Sequence, residues 1–207
     1  MKYKHIVFDL DGTLLDTEYA ILRSLQETVK TVTGNLIELS ELTFALGITG
    51  VDALKKLNIG DVPSVLGLWI ENMNKYSDSI LVFEGIAELL DTLTKCGYEL
   101  GIVTSKTRKE FEHDFIQYDI HKYFSRVICS DDTSEHKPSP VPLLKYMEST
   151  KTSCEELLYI GDSIYDMNCA NNAKVDFALA EWGSIITKKL SETYRLSEPL
   201  DLLSVIN

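Results

Sequence analysis

The sequence predicts an α/β fold built around a buried parallel sheet. Three observations carry this reading: short apolar runs that end in polar residues, helix-length amphipathic segments between them, and one long helical stretch that interrupts the alternation. The runs are HIVFD (5–9), LGIVTS (100–105), RVICSDD (126–132), LLYIGD (157–162) and VDFALA (175–180). Their apolar residues are nearly continuous instead of alternating, as expected of strands covered on both faces. Between them, Ile86, Leu89, Leu90 and Leu93 before Gly97, then Phe111, Phe115 and Tyr118, then Leu143, Leu144 and Met147 recur at helical spacing.

The interrupting stretch, from Asp16 to about Ile80, holds helical patterns and no convincing strand. Ile21, Leu25, Val29 and Val32 share a helical face that stops near Gly34, and Ser40 and Gly47 bracket a short second helix. Val51, Leu54 and Leu57 suggest a third; Pro63 in the first turn opens a fourth, with Val65, Trp69, Met73 and Tyr76 on one face. The expected organisation is therefore an α/β core from residues 1–15 and 81–207 with a small all-helical domain, residues 16–80, inserted after the first strand. Two short crossings, near Asp16 and from Leu81 to Glu84, would join them as a hinge.

The chain has 207 residues, enough for one or two compact domains, and its 44% hydrophobic and 25% charged residues suit a packed globular protein. Twenty Lys and Arg against 32 Asp and Glu give a formal charge of −12, which repels nucleic acid and anionic membranes. No run of hydrophobic residues exceeds four, whereas a spanning helix needs about 20 and a signal peptide about 7 to 15. A soluble, cytoplasmic protein is expected. Cys96, Cys129, Cys154 and Cys169 are far apart and read as reduced thiols. Nothing demands a dimer, so a monomer is expected, with a weak dimer left open.

Ligands of an open parallel sheet bind beyond the carboxyl ends of its strands. Here those ends carry Asp9 and Asp11, Thr104 and Ser105, and Asp162 with Asp166. Asp9 and Asp11 can face the same side before Gly12 turns the chain. DxDG alone could be a solvated turn, but with Asp162 on another strand end three acids surround one point, which suggests a hard, oxygen-liganded cation such as Mg²⁺. Asp162 or Ser163 could instead cap a helix. Thr104 and Ser105 stand where hydroxyls and loop amides can hold a phosphate, or can themselves cap. Lys137 sits among Pro138, Pro140 and Pro142; beside three acids its ammonium can neutralise both a carboxylate and a transferring phosphoryl group. His5, His113, His121 and His136 form no metal-spaced pair, and no Ser or Cys lies in a nucleophile motif, so zinc sites and hydrolase triads are disfavoured.

In order and spacing DLDGTLLDT, GIVTSK, the HKPSP lysine and GDSIYDM resemble the four motifs of the haloacid dehalogenase superfamily, and the helical insert is similar to the cap of its phosphoglycolate phosphatase and β-phosphoglucomutase branch. The resemblance implies a Rossmann-like five-stranded core with the first strand central. It implies Asp9 as the nucleophile that forms an aspartyl-phosphate and Asp11 as the acid that protonates the leaving oxygen and then activates water. Asp9, the carbonyl of Asp11 and Asp162 would hold Mg²⁺, with Asp166 supporting directly or through water; Thr104, the amide of Ser105 and Lys137 would hold the phosphoryl oxygens. Dehalogenases and phosphonatases of the superfamily lack an acid at the position of Asp11, which points to phosphoryl transfer.

In the mutase branch an arginine of the cap loop grips a second phosphate, but in LGITGVDAL (46–54) Gly50 stands there, which favours a hydrolase. Gly47, Thr49 and Gly50 of this loop are the expected substrate-binding groups, and Lys55 and Lys56 are either anion-facing or merely exposed. Relatives commonly have Pro-Gly after the cap where this chain has Glu84 before Gly85. The expected partner is a small phosphate ester: 2-phosphoglycolate first, with pyrophosphate, a nucleoside monophosphate or a sugar phosphate as alternatives, and β-phosphoglucomutase activity behind them. A catalytically silent phospho-ligand binder or a receiver-type signalling module are the non-enzyme alternatives.

Overall fold

The computed structural model describes residues 2–206. Along the chain run β1 (His5–Phe8), β2 (Leu15–Asp16), α1 (Glu18–Thr33), α2 (Leu39–Leu42), α3 (Gly50–Lys56), α4 (Val62–Asn74), β3 (Leu81–Val82), α5 (Ile86–Lys95) and β4 (Glu99–Val103). They are followed by α6 (Arg108–Phe115), β5 (Arg126–Ile128), α7 (Val141–Thr150), β6 (Leu157–Gly161), α8 (Ile164–Ala173), β7 (Asp176–Ala180), β8 (Tyr194–Leu196) and α9 (Leu202–Ile206).

One sheet has the order β5-β4-β1-β6-β7-β8, and every pair in it is parallel. The apolar runs of the sequence are β1, β4, β5, β6 and β7. Along β1 the pleat sends Ile6 and Phe8 into one core, with Leu100, Ile102, Leu158 and Ile160 against α5 and α9. Val7 goes to the other face, with Val103, Tyr159 and Phe177 against α7 and α8. Both faces are covered, so beyond the polar first residues of β1, β4, β5 and β7 the strands are nearly continuously apolar and the period-2 signal vanishes. Each fully buried Leu or Ile there contributes about 1.5–3 kcal/mol relative to exposure.

β8 adds a sixth strand to the five expected. Only Leu196 of its three residues is buried, so it has no hydrophobic run of its own; the open edge of β7 recruits it, with hydrogen bonds flanking the pairing from Thr193 N to Phe177 O (2.8 Å) and from Glu181 N to Leu196 O (2.9 Å).

Helices α1 to α4 pack around their own core of Leu22, Leu25, Val29, Leu54, Val65 and Trp69. Two buried hydrogen bonds tie α4 to α1, from Trp69 Nε1 to Ser24 Oγ (2.9 Å) and from Asn72 Nδ2 to Thr28 Oγ1 (2.9 Å). Leu22 takes an inward place, whereas Val32 of the expected face is exposed. Gly34 ends α1 at φ 76°, its N–H bonding Lys30 O. The stretch joins the sheet through a ribbon that the sequence did not signal, β2 paired antiparallel with β3 (Leu15 with Val82, Asp16 with Leu81). Two residues per strand are too few to show alternation.

Register positions the site. Phe8 of β1 pairs with Ile102 on one side and Ile160 on the other. The residues just beyond those ends, Asp9, Thr104 and Asp162, therefore emerge along one edge of the sheet.

Candidate active site

Carboxylate oxygens of Asp9, Asp162 and Asp166 lie within 4.8 Å of one another, and all three residues are buried. Asp9 continues β1, its N–H bonding Ile160 O at 2.8 Å. Asp162 follows β6, and Asp166 sits in the first turn of α8. Lys137, 4% exposed, reaches them from the loop before α7: its Nζ lies 2.8 Å from Asp9 Oδ1 and 2.6 Å from Asp166 Oδ1. The capping alternative also holds, because Ser163 is the N-cap of α8 and forms a capping box with Asp166. Asp166 Oδ2 accepts from the amide and hydroxyl of Ser163, while its Oδ1 takes Lys137 and the Tyr159 hydroxyl (2.9 Å).

The electrostatics follow from burial. The Asp9 carboxyl is pushed up to about 7, first by burial and then by the charge of Asp166, against the pull of Lys137. Burial, then Asp166, also pushes Asp162 well up. Burial would lower Lys137, but Asp166 and Asp9 outweigh it and hold the ammonium charged. Three buried carboxylates against one ammonium lack two positive charges, and the donors are hard oxygens. A divalent cation fits both facts.

Gly12 makes this packing possible. It has φ +78°, and a Cβ there would stand 2.5 Å from Asp162 Oδ2. Thr13 donates to Asp162 Oδ1 at 3.2 Å, and Ser184 donates to the Asp162 carbonyl.

Asp11 belongs to a second group. Its Oδ1 is buried without a hydrogen-bond partner, 3.5 Å from Lys106 Nζ, and Lys106 in turn bonds Asp114 Oδ2 at 2.6 Å. Burial raises the Asp11 carboxyl, opposed by Lys106. Asp9 and Asp11 both line a cavity of about 180 Å³ between the sheet edge and the helical stretch, together with Gly47, Gly50 and Ser105.

Thr104 is buried at the end of β4, where its Oγ1 accepts from Lys106 N (3.2 Å). Ser105 Oγ donates to Gly47 O at 3.0 Å, so loop 46–50 touches the sheet edge directly. Of the expected substrate-binding groups Gly47, Gly50 and Ser105 line the cavity; Thr104 and Lys137 do not, and neither does Thr49. It is the N-cap of α3: its hydroxyl accepts from Asp52 N and donates to Asp52 Oδ2. Lys55 and Lys56 are both exposed and neither lines the cavity; Lys56 donates to the Tyr165 hydroxyl at 2.9 Å across to α8.

Sequence reasoning missed Tyr159, Lys106 and Asp114. Tyr159 lies inside an apolar strand, where an aromatic residue reads as core; its hydroxyl reaches Val103 O, Asp166 and Lys137. Lys106 adjoins Ser105 within GIVTSK, so adjacency was an available signal; Asp114, in the last helical turn of α6, offered none.

Residues 6–180 match the family model of the haloacid dehalogenase-like hydrolases. PpaX of Caldanaerobacter subterraneus is 31% identical, covering 100% of this chain and 96% of its own, and Pyrophosphatase PpaX of Bacillus mycoides is 28% identical, covering 100% and 98%. A crystal structure from Lactobacillus plantarum, assigned as a phosphoglycolate phosphatase, superposes with a TM-score of 0.90 at 30% identity, over 99% of both chains. The buried acids, their lysine and the sheet that aligns them thus sit in a chain that belongs, over most of its length, to the haloacid dehalogenase-like hydrolases and is a phosphatase of that family.

Proposed function

We propose that this chain is a Mg²⁺-dependent phosphatase that hydrolyses a small phosphate monoester through an aspartyl-phosphate on Asp9. The observation that carries the proposal is the buried cluster of Asp9, Asp162 and Asp166 around Lys137. An Asp9 carboxylate oxygen attacks phosphorus, the ester P–O bond breaks, and its electron pair leaves on the alcohol oxygen. Asp11 gives that oxygen its proton. The resulting Asp11 carboxylate then takes a proton from the water that attacks the aspartyl-phosphate and frees Asp9. The raised Asp11 carboxyl, on a residue that lines the cavity, suits a proton donor to an ester oxygen.

Asp9, Asp162 and the Asp11 carbonyl are the groups to hold Mg²⁺, which when bound supplies neutralisation of the phosphoryl oxygens. Asp166, with both oxygens already engaged, holds Lys137 and supports the ion through water. Thr104, the Ser105 amide and Lys137 cradle the phosphoryl group. Residues 16–80 act as a cap over the α/β core, lifting at the β2–β3 ribbon to admit substrate. No helix of the described residues is long and apolar enough to cross a membrane, and we place the enzyme in the cytoplasm. Phosphoglycolate-like esters are one substrate reading; pyrophosphate is the second, favoured by the PpaX relatives.

The test is phosphate release from an ester panel with Mg²⁺. EDTA should stop turnover, Mg²⁺ should restore it, and Asp9→Asn should lower kcat by about 10⁴-fold or more. Turnover that persists in Asp9→Asn refutes the nucleophile, and full activity in chelator refutes the metal.

A further inference from the structure

Resting on the Mg²⁺ reading of the site, we infer that Trp182 and Ser184, just after β7, are positioning residues for the metal: they hold the turn at Gly12 and the Asp162 ligand in the geometry that binds Mg²⁺, and so set its affinity. β7 ends at Ala180, and two successive turns, Gly183 N to Ala180 O (3.4 Å) and Ser184 N to Glu181 O (3.3 Å), lay residues 182–184 against the loops that follow β1 and β6. The Trp182 ring packs on the core that holds Ile6 and Phe8, and its Nε1, the only donor of the side chain, bonds Thr13 O at 2.9 Å. Thr13 is buried, and its hydroxyl donates to Asp162 Oδ1 at 3.2 Å. Ser184 Oγ donates to the carbonyl of the same Asp162. Trp182 therefore acts on the Asp162 carboxylate through Thr13, and Ser184 acts on its backbone.

Between these two contacts Gly183 lies on the Gly12 turn itself. A Cβ at Gly183 would run into the Gly12 carbonyl, 2.7 Å from its carbon, so backbone packs on backbone and no side chain fits. The segment is in turn anchored from β8. Glu181 N bonds Leu196 O (2.9 Å), and the Glu181 carboxylate takes Arg195 NH1 (2.7 Å) and the Ser197 hydroxyl (3.1 Å). Arg195 NH2 also donates to Lys188 O (2.8 Å), so one guanidinium fixes the chain on both sides of residues 182–184. The added strand thus gives the segment a fixed base.

Mg²⁺ demands near-ideal octahedral placement of its oxygen ligands at about 2.0–2.1 Å, so a ligand free to turn binds it more weakly. Hydrogen-bonded neighbours that orient such ligands are worth about 10–100-fold in metal affinity or activity. Asp162, held at its carboxylate by Thr13 and at its carbonyl by Ser184, has such neighbours on both sides.

The experiment titrates Mg²⁺ calorimetrically into the substrate-free protein and, separately, follows phosphate release against Mg²⁺ concentration. Trp182→Phe keeps a ring in the core and removes the N–H; Ser184→Ala removes the hydroxyl. Each should raise the Kd for Mg²⁺ about tenfold and the Mg²⁺ concentration for half-maximal turnover by the same factor, while kcat at saturating Mg²⁺ stays within about twofold of the parent. Tyr98→Phe, at the other end of the sheet, removes a buried hydrogen bond to Ile206 O (3.2 Å) and should leave the Kd unchanged. A parent-like Kd in both Trp182→Phe and Ser184→Ala overturns the inference while leaving the metal and phosphatase readings intact. Equal weakening in Tyr98→Phe, which would assign the effect to general stability, overturns it as well, and so does a loss of kcat that saturating Mg²⁺ does not restore. A parent that takes up no Mg²⁺ in the titration overturns the metal reading and the inference together.

Discussion

Removing the charge of Asp9 should stabilise the metal-free protein. The carboxyl titrates near 7 in the folded chain against an ordinary 3.8, because it is buried and faces Asp166. Between those values the folded state holds a proton that the unfolded state has lost, so this group makes stability fall as pH rises from about 4 to about 7. A difference of about 3 pH units, at 1.36 kcal/mol each, is a cost of about 4 kcal/mol above pH 7. Asn carries no charge and its Oδ1 can keep the bond from Lys137 (2.8 Å), already counted in the shift, but its NH₂ brings unmatched donors into the buried site, which returns about 1–2 kcal/mol. In EDTA at pH 8, Asp9→Asn should therefore be more stable than the parent by about 2–3 kcal/mol, or roughly 5–10 °C in Tm at 2–4 °C per kcal/mol. The advantage should vanish at about pH 5, where the charge cost has fallen to roughly the 1–2 kcal/mol returned. Mg²⁺ should raise the Tm of the parent more than that of the variant. Calorimetric scans across pH, with and without Mg²⁺, check this. A variant no more stable than the parent at pH 8, with a difference that does not change with pH, refutes the electrostatic account.

Gly12→Ala should cost about 1–2 kcal/mol for the left-handed backbone and, by pushing its Cβ into Asp162 Oδ2, lower kcat/KM by about 10²-fold; unaltered kinetics would show that the carboxylate is not held by this contact. At the opposite end of the sheet, burial raises Asp176 but hydrogen bonds from Lys2 (2.6 Å) and Tyr3 (2.7 Å) outweigh it and hold the carboxyl low. Its stabilisation is thus present above the ordinary carboxylate range and is lost as pH falls through the lowered value. Asp176→Asn should cost about 1 kcal/mol at pH 7 and progressively less as pH falls below the ordinary carboxylate range, as read by denaturant unfolding; a cost that does not change with pH would assign the loss to packing.

Much of the fold was legible because burial on two faces writes strands as continuous apolar runs, and β1, β4, β5, β6 and β7 each carry one. The helical stretch was legible from its spacing and its punctuation, Gly34 after α1 and Pro63 in α4. β2, β3 and β8 were not, since two or three residues hold no periodicity and exist as strands only because a partner edge is present.

The candidate site divides in the same way. Asp9, Thr104 and Asp162 stand at strand ends, and their convergence follows from parallel register alone. What only the tertiary structure decided is which groups each carboxylate meets. Asp166 closes the cap of α8 and also holds Lys137; Thr49 serves α3 instead of the cavity; Tyr159 turns from core residue to hydrogen-bond partner of Lys137 and Asp166. Local order in a chain determines propensity, charge and where strands end. The direction of a side chain, and the apolar or charged character of the cavity it faces, depends on residues far away in sequence, such as Leu66 and Trp69 across from Asp9 and Asp11. Those encounters exist only once the chain has packed.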